Sequence, residues 1–151
     1  MQFKKLFLFL VILALFCAIL PAAPITLSSG TTVAVPLDPF VGGTLVSTMT
    51  GTLLPISGTF GGSERQEVWR LVDNTLAFAY QINNVAGVSG SDAITRATMN
   101  SFAGFTTSVA YSTTAFGGFS ASGTVPLNAD RNVSGSVVGF DFGTGINPGL
   151  N

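Results

Sequence analysis

Glu64-Arg65-Gln66-Glu67-Val68-Trp69-Arg70-Leu71-Val72-Asp73-Asn74-Thr75-Leu76-Ala77-Phe78-Ala79-Tyr80-Gln81-Ile82-Asn83 places two alternating runs on either side of an Asp-Asn pair. A period of two marks strands, whose successive side chains point to opposite faces. Asp73-Asn74 reads as a two-residue turn, because Asp and Asn tolerate the positive φ that tight hairpins demand. The stretch is expected to fold as a hairpin joining Glu64–Val72 to Thr75–Asn83. With Val72 opposite Thr75, Leu71 faces Leu76, Trp69 faces Phe78 and Glu67 faces Tyr80. Trp69, Leu71, Leu76, Phe78, Tyr80 and Ile82 then share one face, expected to be core. Gln66, Val68, Arg70, Ala77, Ala79 and Gln81 form the other, expected to be wet.

Outward from the hairpin the period stays at two, and Thr and Gly are abundant. Strands recurring between turn signals predict an all-β chain, an antiparallel β-sandwich of jelly-roll or Ig-like type. Thr26–Pro39, with Pro36 and Pro39, reads as an edge strand or extended arm, and Thr44–Leu54 as a strand with Thr48, Thr50 and Thr52 on one face. Asn83–Asp92 is a Gly/Ser/Asn loop, Ala93–Asn100 a strand, and Phe102–Tyr111 a bend into another. Ser112–Ser122 reads as a flexible stretch carrying Phe116 and Phe119. Asp130-Arg131-Asn132 leads into a strand, Val133–Phe142, on which Val138, Phe140 and Phe142 share a face. Gly143–Asn151 is expected to be loop.

The amino terminus has a different character. Lys4 and Lys5 precede an unbroken apolar run, Leu6–Leu20, followed by Pro21-Ala22-Ala23. A basic start, an apolar stretch of about 7–15 residues and small residues at the exit form a secretory signal. A spanning helix needs roughly 20 apolar residues, so cleavage is expected over retention as an anchor. Cys17 is no lipoprotein acylation site, since the residue before it is Phe16 rather than a small one. The cut is imperfect: after Ala22 it leaves Leu20 at the minus-three position, and after Ala23 it leaves Pro21 there with Pro24 at plus one. Residues 1–23 are thus expected to be a signal helix, and 24–151 one β-sandwich domain.

Residues 24–151 carry Arg65, Arg70, Arg96 and Arg131 against Asp38, Glu64, Glu67, Asp73, Asp92, Asp130 and Asp141, a net charge of about −3. That balance disfavours nucleic acid and anionic lipid, both of which reward clustered Lys and Arg. A membrane is expected as a partner only during export. The chain has no His, its single Cys lies in the signal, and both lysines precede Leu6. The usual general base, thiolate nucleophile, Schiff-base amine and common zinc ligands are therefore missing from 24–151. Neither a Gly-x-Ser-x-Gly elbow nor a Gly-x-x-x-x-Gly-Lys phosphate loop is present. No catalytic residue, cofactor or metal is expected, and without disulfides the core must hold the fold.

Carboxylates remain the one route to catalysis or to calcium. Glu64 and Glu67, three apart on a strand, point to opposite faces and cannot converge on one sugar. They read as solvated charges, with Arg65 and Glu67 side by side. Asp130 and Asp141 could meet across a loop but lack the dense Asp/Asn/Gly spacing of a calcium site. A two-carboxylate hydrolase would need its pair about 5–10 Å apart in a cleft. The threonine row reads as a solvated β-face rather than an ice- or carbohydrate-binding one. Trp69 and Tyr80 could form a sugar-stacking platform, but their aliphatic neighbours favour burial. Asn132-Val133-Ser134 fits an N-glycosylation pattern, relevant only in a eukaryotic secretory pathway.

Glu67-Val68-Trp69-Arg70, Thr75–Ile82, Asp92-Ala93-Ile94-Thr95-Arg96, Phe102–Thr107, Ala129-Asp130-Arg131 and Val138-Gly139-Phe140-Asp141-Phe142-Gly143, in that order, resemble exported bacterial proteins of the PEP-CTERM type. The resemblance covers Gly58–Asn151. It implies a non-enzymatic surface or extracellular-matrix component of a Gram-negative bacterium, structural or associated with exopolysaccharide, with polysaccharide or other surface proteins as partners. Such proteins end in a Pro-Glu-Pro motif, a transmembrane helix and an Arg-rich sorting tail. The residues up to Asn151 show none of these, so a C-terminally incomplete domain is expected, the alternative being a relative that is freely secreted. The alternative is a secreted carbohydrate-binding module using Trp69, Tyr80, Tyr111, Phe116 or Phe119, at least two of which would then be coplanar and exposed.

Overall fold

The computed structural model describes residues 23–53, 59–85, 92–121 and 123–149. The expected signal helix, with Cys17, lies outside the described residues except for Ala23, as does most of the Asn83–Asp92 loop. The described chain is all-β, without a helix, and its sheets are antiparallel throughout.

Strand β1 (Ile25–Thr26) pairs with β7 (Ser108–Val109). A four-stranded sheet has the order β2-β8-β9-β6, formed by β2 (Thr32–Ala34), β8 (Asn128–Arg131), β9 (Val137–Ile146) and β6 (Ile94–Asn100). A three-stranded meander, in the order β3-β4-β5, consists of β3 (Thr44–Leu53), β4 (Gly62–Arg70) and β5 (Leu76–Asn84). The arm Thr26–Pro39 thus supplies β1 and the edge strand β2, and an isolated parallel bridge from Leu37 to Tyr111 fastens its end.

The hairpin exists, but its register departs from the sequence expectation by one residue. Arg70 pairs with Leu76, Trp69 with Ala77, Val68 with Phe78, Glu67 with Ala79 and Gln66 with Tyr80. The cause is the turn. Leu71 N–H donates to Thr75 O at 3.0 Å and Asn74 N–H to Leu71 O at 3.0 Å, so the loop is three residues, Val72-Asp73-Asn74. Only Asn74 is left-handed, at φ 69°, as in a type I turn closed by a left-handed residue. Asp73 Oδ1 fixes the turn by accepting from Thr75 N–H at 3.0 Å and Thr75 Oγ1 at 2.7 Å. These bonds hold the Asp73 carboxyl below its ordinary range.

A slip of one residue moves every side chain of one strand to the other face. The anticipated core face is therefore split. Trp69 lies with Arg65, Glu67, Ala77, Ala79 and Gln81, while Phe78, Tyr80 and Ile82 lie with Glu64, Gln66 and Val68. Leu76 and Phe78, expected to be core, are 46% and 49% exposed.

The core sits elsewhere. Leu27, Val35, Val109, Ala129 and Val138 form a buried cluster, backed by Val33, Phe102, Tyr111 and Phe140. It lies on the face of the four-stranded sheet where Ala129 pairs with Phe140 and Arg131 with Val138. Asn128–Arg131 is itself a strand, which the sequence reading treated as a lead-in, and the reading's strand start at Val133 falls in the β8–β9 turn. That turn spans Asn132–Ser136, where Asn132 Oδ1 accepts from Val137 N–H at 3.0 Å and Gly135 has φ 71°. Strand β9 also runs on to Ile146, through residues expected to be loop, because Gly143 and Gly145, both at positive φ, carry an irregularity without ending the pairing.

Arg131 is buried within this core at 6% exposure. Its Nε donates to Gly135 O at 2.9 Å and its Nη1 to Leu27 O at 3.3 Å. Its Nη2 donates to Phe102 O at 2.6 Å and Phe105 O at 2.8 Å. The desolvation cost of a buried cation is thereby offset by four carbonyl dipoles.

Candidate functional site

On the Tyr80 side of the hairpin, Glu64, Gln66, Tyr80 and Ile82 meet the edge strand β6 across a half-open cleft of about 400 Å³. Phe60 adds a second aromatic side chain, and Arg96, Thr98 and Asn100 line the β6 wall. The volume lies within the roughly 300–1,000 Å³ of small-molecule sites. Alternation explains the lining: Glu64 and Gln66 are two apart on β4, and Tyr80 pairs with Gln66. Gln66 Nε2 donates to Glu64 Oε1 at 3.0 Å, which fixes both side chains. Burial, and then the Glu64 charge, push the Tyr80 hydroxyl above its ordinary pKa, so it stays protonated as donor and acceptor.

Arg96 is held at the cleft by two carboxylates. Its Nη1 donates to Asp141 Oδ1 at 2.6 Å and its Nη2 to Asp130 Oδ1 at 2.6 Å, and these bonds raise its pKa further. Gly139 makes room for the arrangement, since a Cβ there would run into the Arg96 guanidinium and Asp130. Asp130 and Asp141 thus do come together, but from paired sheet strands rather than across a loop, and with a cation between them. Glu64 is the one carboxylate among the residues lining the cleft.

The opposite face of the hairpin holds a second polar constellation. Glu67, read from sequence as solvated, is 1% exposed. Its Oε1 accepts from Arg65 Nε at 2.8 Å and Gly118 N–H at 2.9 Å, and its Oε2 from Trp69 Nε1 at 3.0 Å. Burial raises the carboxyl pKa, but the Arg65, Gly118 and Trp69 hydrogen bonds and the Arg65 charge outweigh it and hold the group below its ordinary value. The expected pairing of Arg65 with Glu67 is present, and the pair is covered. Phe116-Gly117-Gly118-Phe119 turns directly over the carboxylate, with Phe116 bridged to Phe119. Gln81 completes the docking: its Nε2 donates to Ser120 O at 3.2 Å, and its Oε1 accepts from Ser120 N–H at 3.1 Å. The stretch expected to be flexible is seated on the meander because its glycines let the backbone approach Glu67 and Arg65 closely.

The aromatic candidates separate accordingly. Trp69 and Tyr80 lie on opposite faces of the meander and share no platform. Phe116 stacks on Phe40 at 4.3 Å between centroids, and Trp69 meets Phe40 edge-on at 5.2 Å. Phe119 is buried and Tyr111 packs on the core. Tyr80 alone of the five lines the cleft, joined by Phe60. Thr48, Thr50 and Thr52 are exposed, as expected of a solvated face. Arg96, Thr98 and Asn100 were not singled out from sequence; they reach the cleft through a non-local pairing that no short-range pattern encodes. Asn132 is engaged in its own turn, where its Nδ2 donates to Ser136 Oγ at 3.1 Å. No cluster of metal-ligating side chains occurs among the described residues.

Comparison of the chain with protein-family models, curated proteins and solved structures finds no match.

Proposed function

We propose that this is an exported, non-enzymatic component of a bacterial surface or extracellular matrix that holds exopolysaccharide in the cleft between the meander and β6. The cleft is the observation that carries the reading. It combines aromatic rings at Tyr80 and Phe60 with amides and hydroxyls at Gln66, Asn100 and Thr98. Rings pack on the apolar faces of pyranoses, and planar polar groups bond their hydroxyls. A single lining carboxylate favours binding over two-carboxylate hydrolysis. The negative balance of residues 24–151 favours neutral sugars over uronate-rich ones.

Residues 1–23 serve as the export signal, and the PEP-CTERM resemblance points to the bacterial surface as the destination. The fold is a β-sandwich of jelly-roll or Ig-like type. The edge-on contact of Phe78, on the meander, with Phe102, in the core, at 6.0 Å supports that layering.

Titration calorimetry with neutral and acidic exopolysaccharide fragments tests the proposal. Binding of a neutral fragment that weakens about tenfold in Tyr80→Ala and in Gln66→Ala, yet survives Thr48→Ala on the other face, is the expected result. Absence of binding, or binding indifferent to Tyr80→Ala, would overturn it.

A further inference from the structure

We propose that the outer edge of β3 is a self-association surface, on which a second copy of this chain adds its own β3 in antiparallel register. The two meanders then become one continuous sheet. Strand β3 is the end strand of its sheet, and among the described residues no strand pairs with its outer side. Thr44–Thr50 is exposed on both faces, with Leu45, Val46 and Met49 at 44%, 53% and 57%. An edge strand presents unpaired N–H and C=O groups, and proteins usually blunt it with charges, proline, bulges or short length. Thr44–Leu53 has ten residues without charge or proline. Its one irregularity lies between Leu45 and Ser47, which leaves Ser47–Leu53 regular.

The other edges of the two larger sheets are shorter, charged or tied at points along their length. Strand β2 has three residues and is followed by Pro36. Strand β6 carries Arg96 and faces the cleft. Strand β5 is flanked by Ser120 at Gln81, and its end is fixed by Asn84 Nδ2 donating to Ile146 O at 2.8 Å.

The strand also suits its own copy. With the two-fold axis at Met49, Thr48 lies opposite Thr50 of the second copy and Thr50 opposite its Thr48. Thr–Thr pairs are favourable cross-strand partners, and no like charges are brought together. The contact is isologous and closes at two chains. A ladder one strand deep falls below the roughly 1,200 Å² of stable interfaces, so association is concentration-dependent.

Sedimentation of the full chain over a concentration series, with hydrogen–deuterium exchange at its two extremes, tests this. The expected result is a rise from one chain to two, with new amide protection confined to residues 44–53. Thr50→Lys, which sets two ammonium groups near the axis, is expected to lose the dimer and keep the wild-type Trp69 emission, while Thr50→Ser keeps the dimer. A chain that stays single at every concentration, association unaffected by Thr50→Lys, or protection arising elsewhere would each overturn the proposal.

Discussion

Glu67 Oε2 accepts the indole N–H of Trp69 at 3.0 Å, two positions along one face of β4. The chain's single tryptophan therefore reports directly on its most buried carboxylate. Folding depresses the Glu67 pKa below its ordinary value of 4.5. The stabilisation it provides is complete above that value and is lost as pH falls through the depressed folded-state value. Acid titration below pH 4.5 is expected to shift Trp69 emission to the red as the Phe116–Phe119 turn lifts. Glu67→Gln should remove that step and cost about 1–3 kcal/mol in urea unfolding.

Gly117→Ala tests the seating of the same turn. Gly117 is left-handed at φ 53°, and a Cβ there would meet the Glu67 carboxylate and, at 2.7 Å, Trp69 Cζ2. The substitution is expected to destabilise the chain by about 1–3 kcal/mol and to speed exchange of the Gly118 and Ser120 amides. The same change at Gly104, where nothing lies within 4 Å, should cost less.

Asn74 governs the hairpin register. Its φ of 69° suits Gly or Asn and strains a β-branched residue. Asn74→Gly should leave thermal stability nearly unchanged, offset only by loss of the 2.9 Å bond from Arg70 Nη1. Asn74→Val is expected to lower it by about 1–2 kcal/mol.

Arg131→Met removes a donor from the carbonyls of Leu27, Phe105 and Gly135, and one of two from that of Phe102, which keeps the Phe105 N–H at 3.2 Å. Orphaned buried acceptors cost about 1–3 kcal/mol each where water cannot reach them. A loss of at least about 3 kcal/mol is expected, in a single cooperative transition seen alike by Trp69 emission and far-ultraviolet dichroism.

The strands were legible where alternation was local. Thr44–Leu53 and Ile94–Asn100 lie where the period of two places them, and the hairpin turn is where Asp73-Asn74 marks it. The register was not legible, because two-residue and three-residue loops both draw on Asp and Asn, and the choice between them rests on bonds such as Thr75 to Asp73. That single ambiguity exchanged the faces of Trp69 and Phe78 and so misplaced the core. Asn128–Arg131 was missed because Asp130 and Arg131 look like surface charges; one is paired with Arg96, and the other is buried among carbonyls. Of the cleft, only Tyr80 and Glu64 were among the residues weighed for a site, since Arg96 and Asn100 arrive by a pairing across some forty residues.

The placement of Arg131 bears on how the molecule comes apart. One side chain grips the arm at Leu27, the bend at Phe102 and Phe105, and the β8–β9 turn at Gly135. Fraying of any one of these segments takes hydrogen bonds from the same buried guanidinium, so their opening is coupled. Arg131 is thus a staple across distant parts of a chain whose only cysteine is Cys17. Unlike a cystine bridge it needs no oxidant to form and no isomerase to correct. The fold's integrity is therefore indifferent to the redox state of its surroundings.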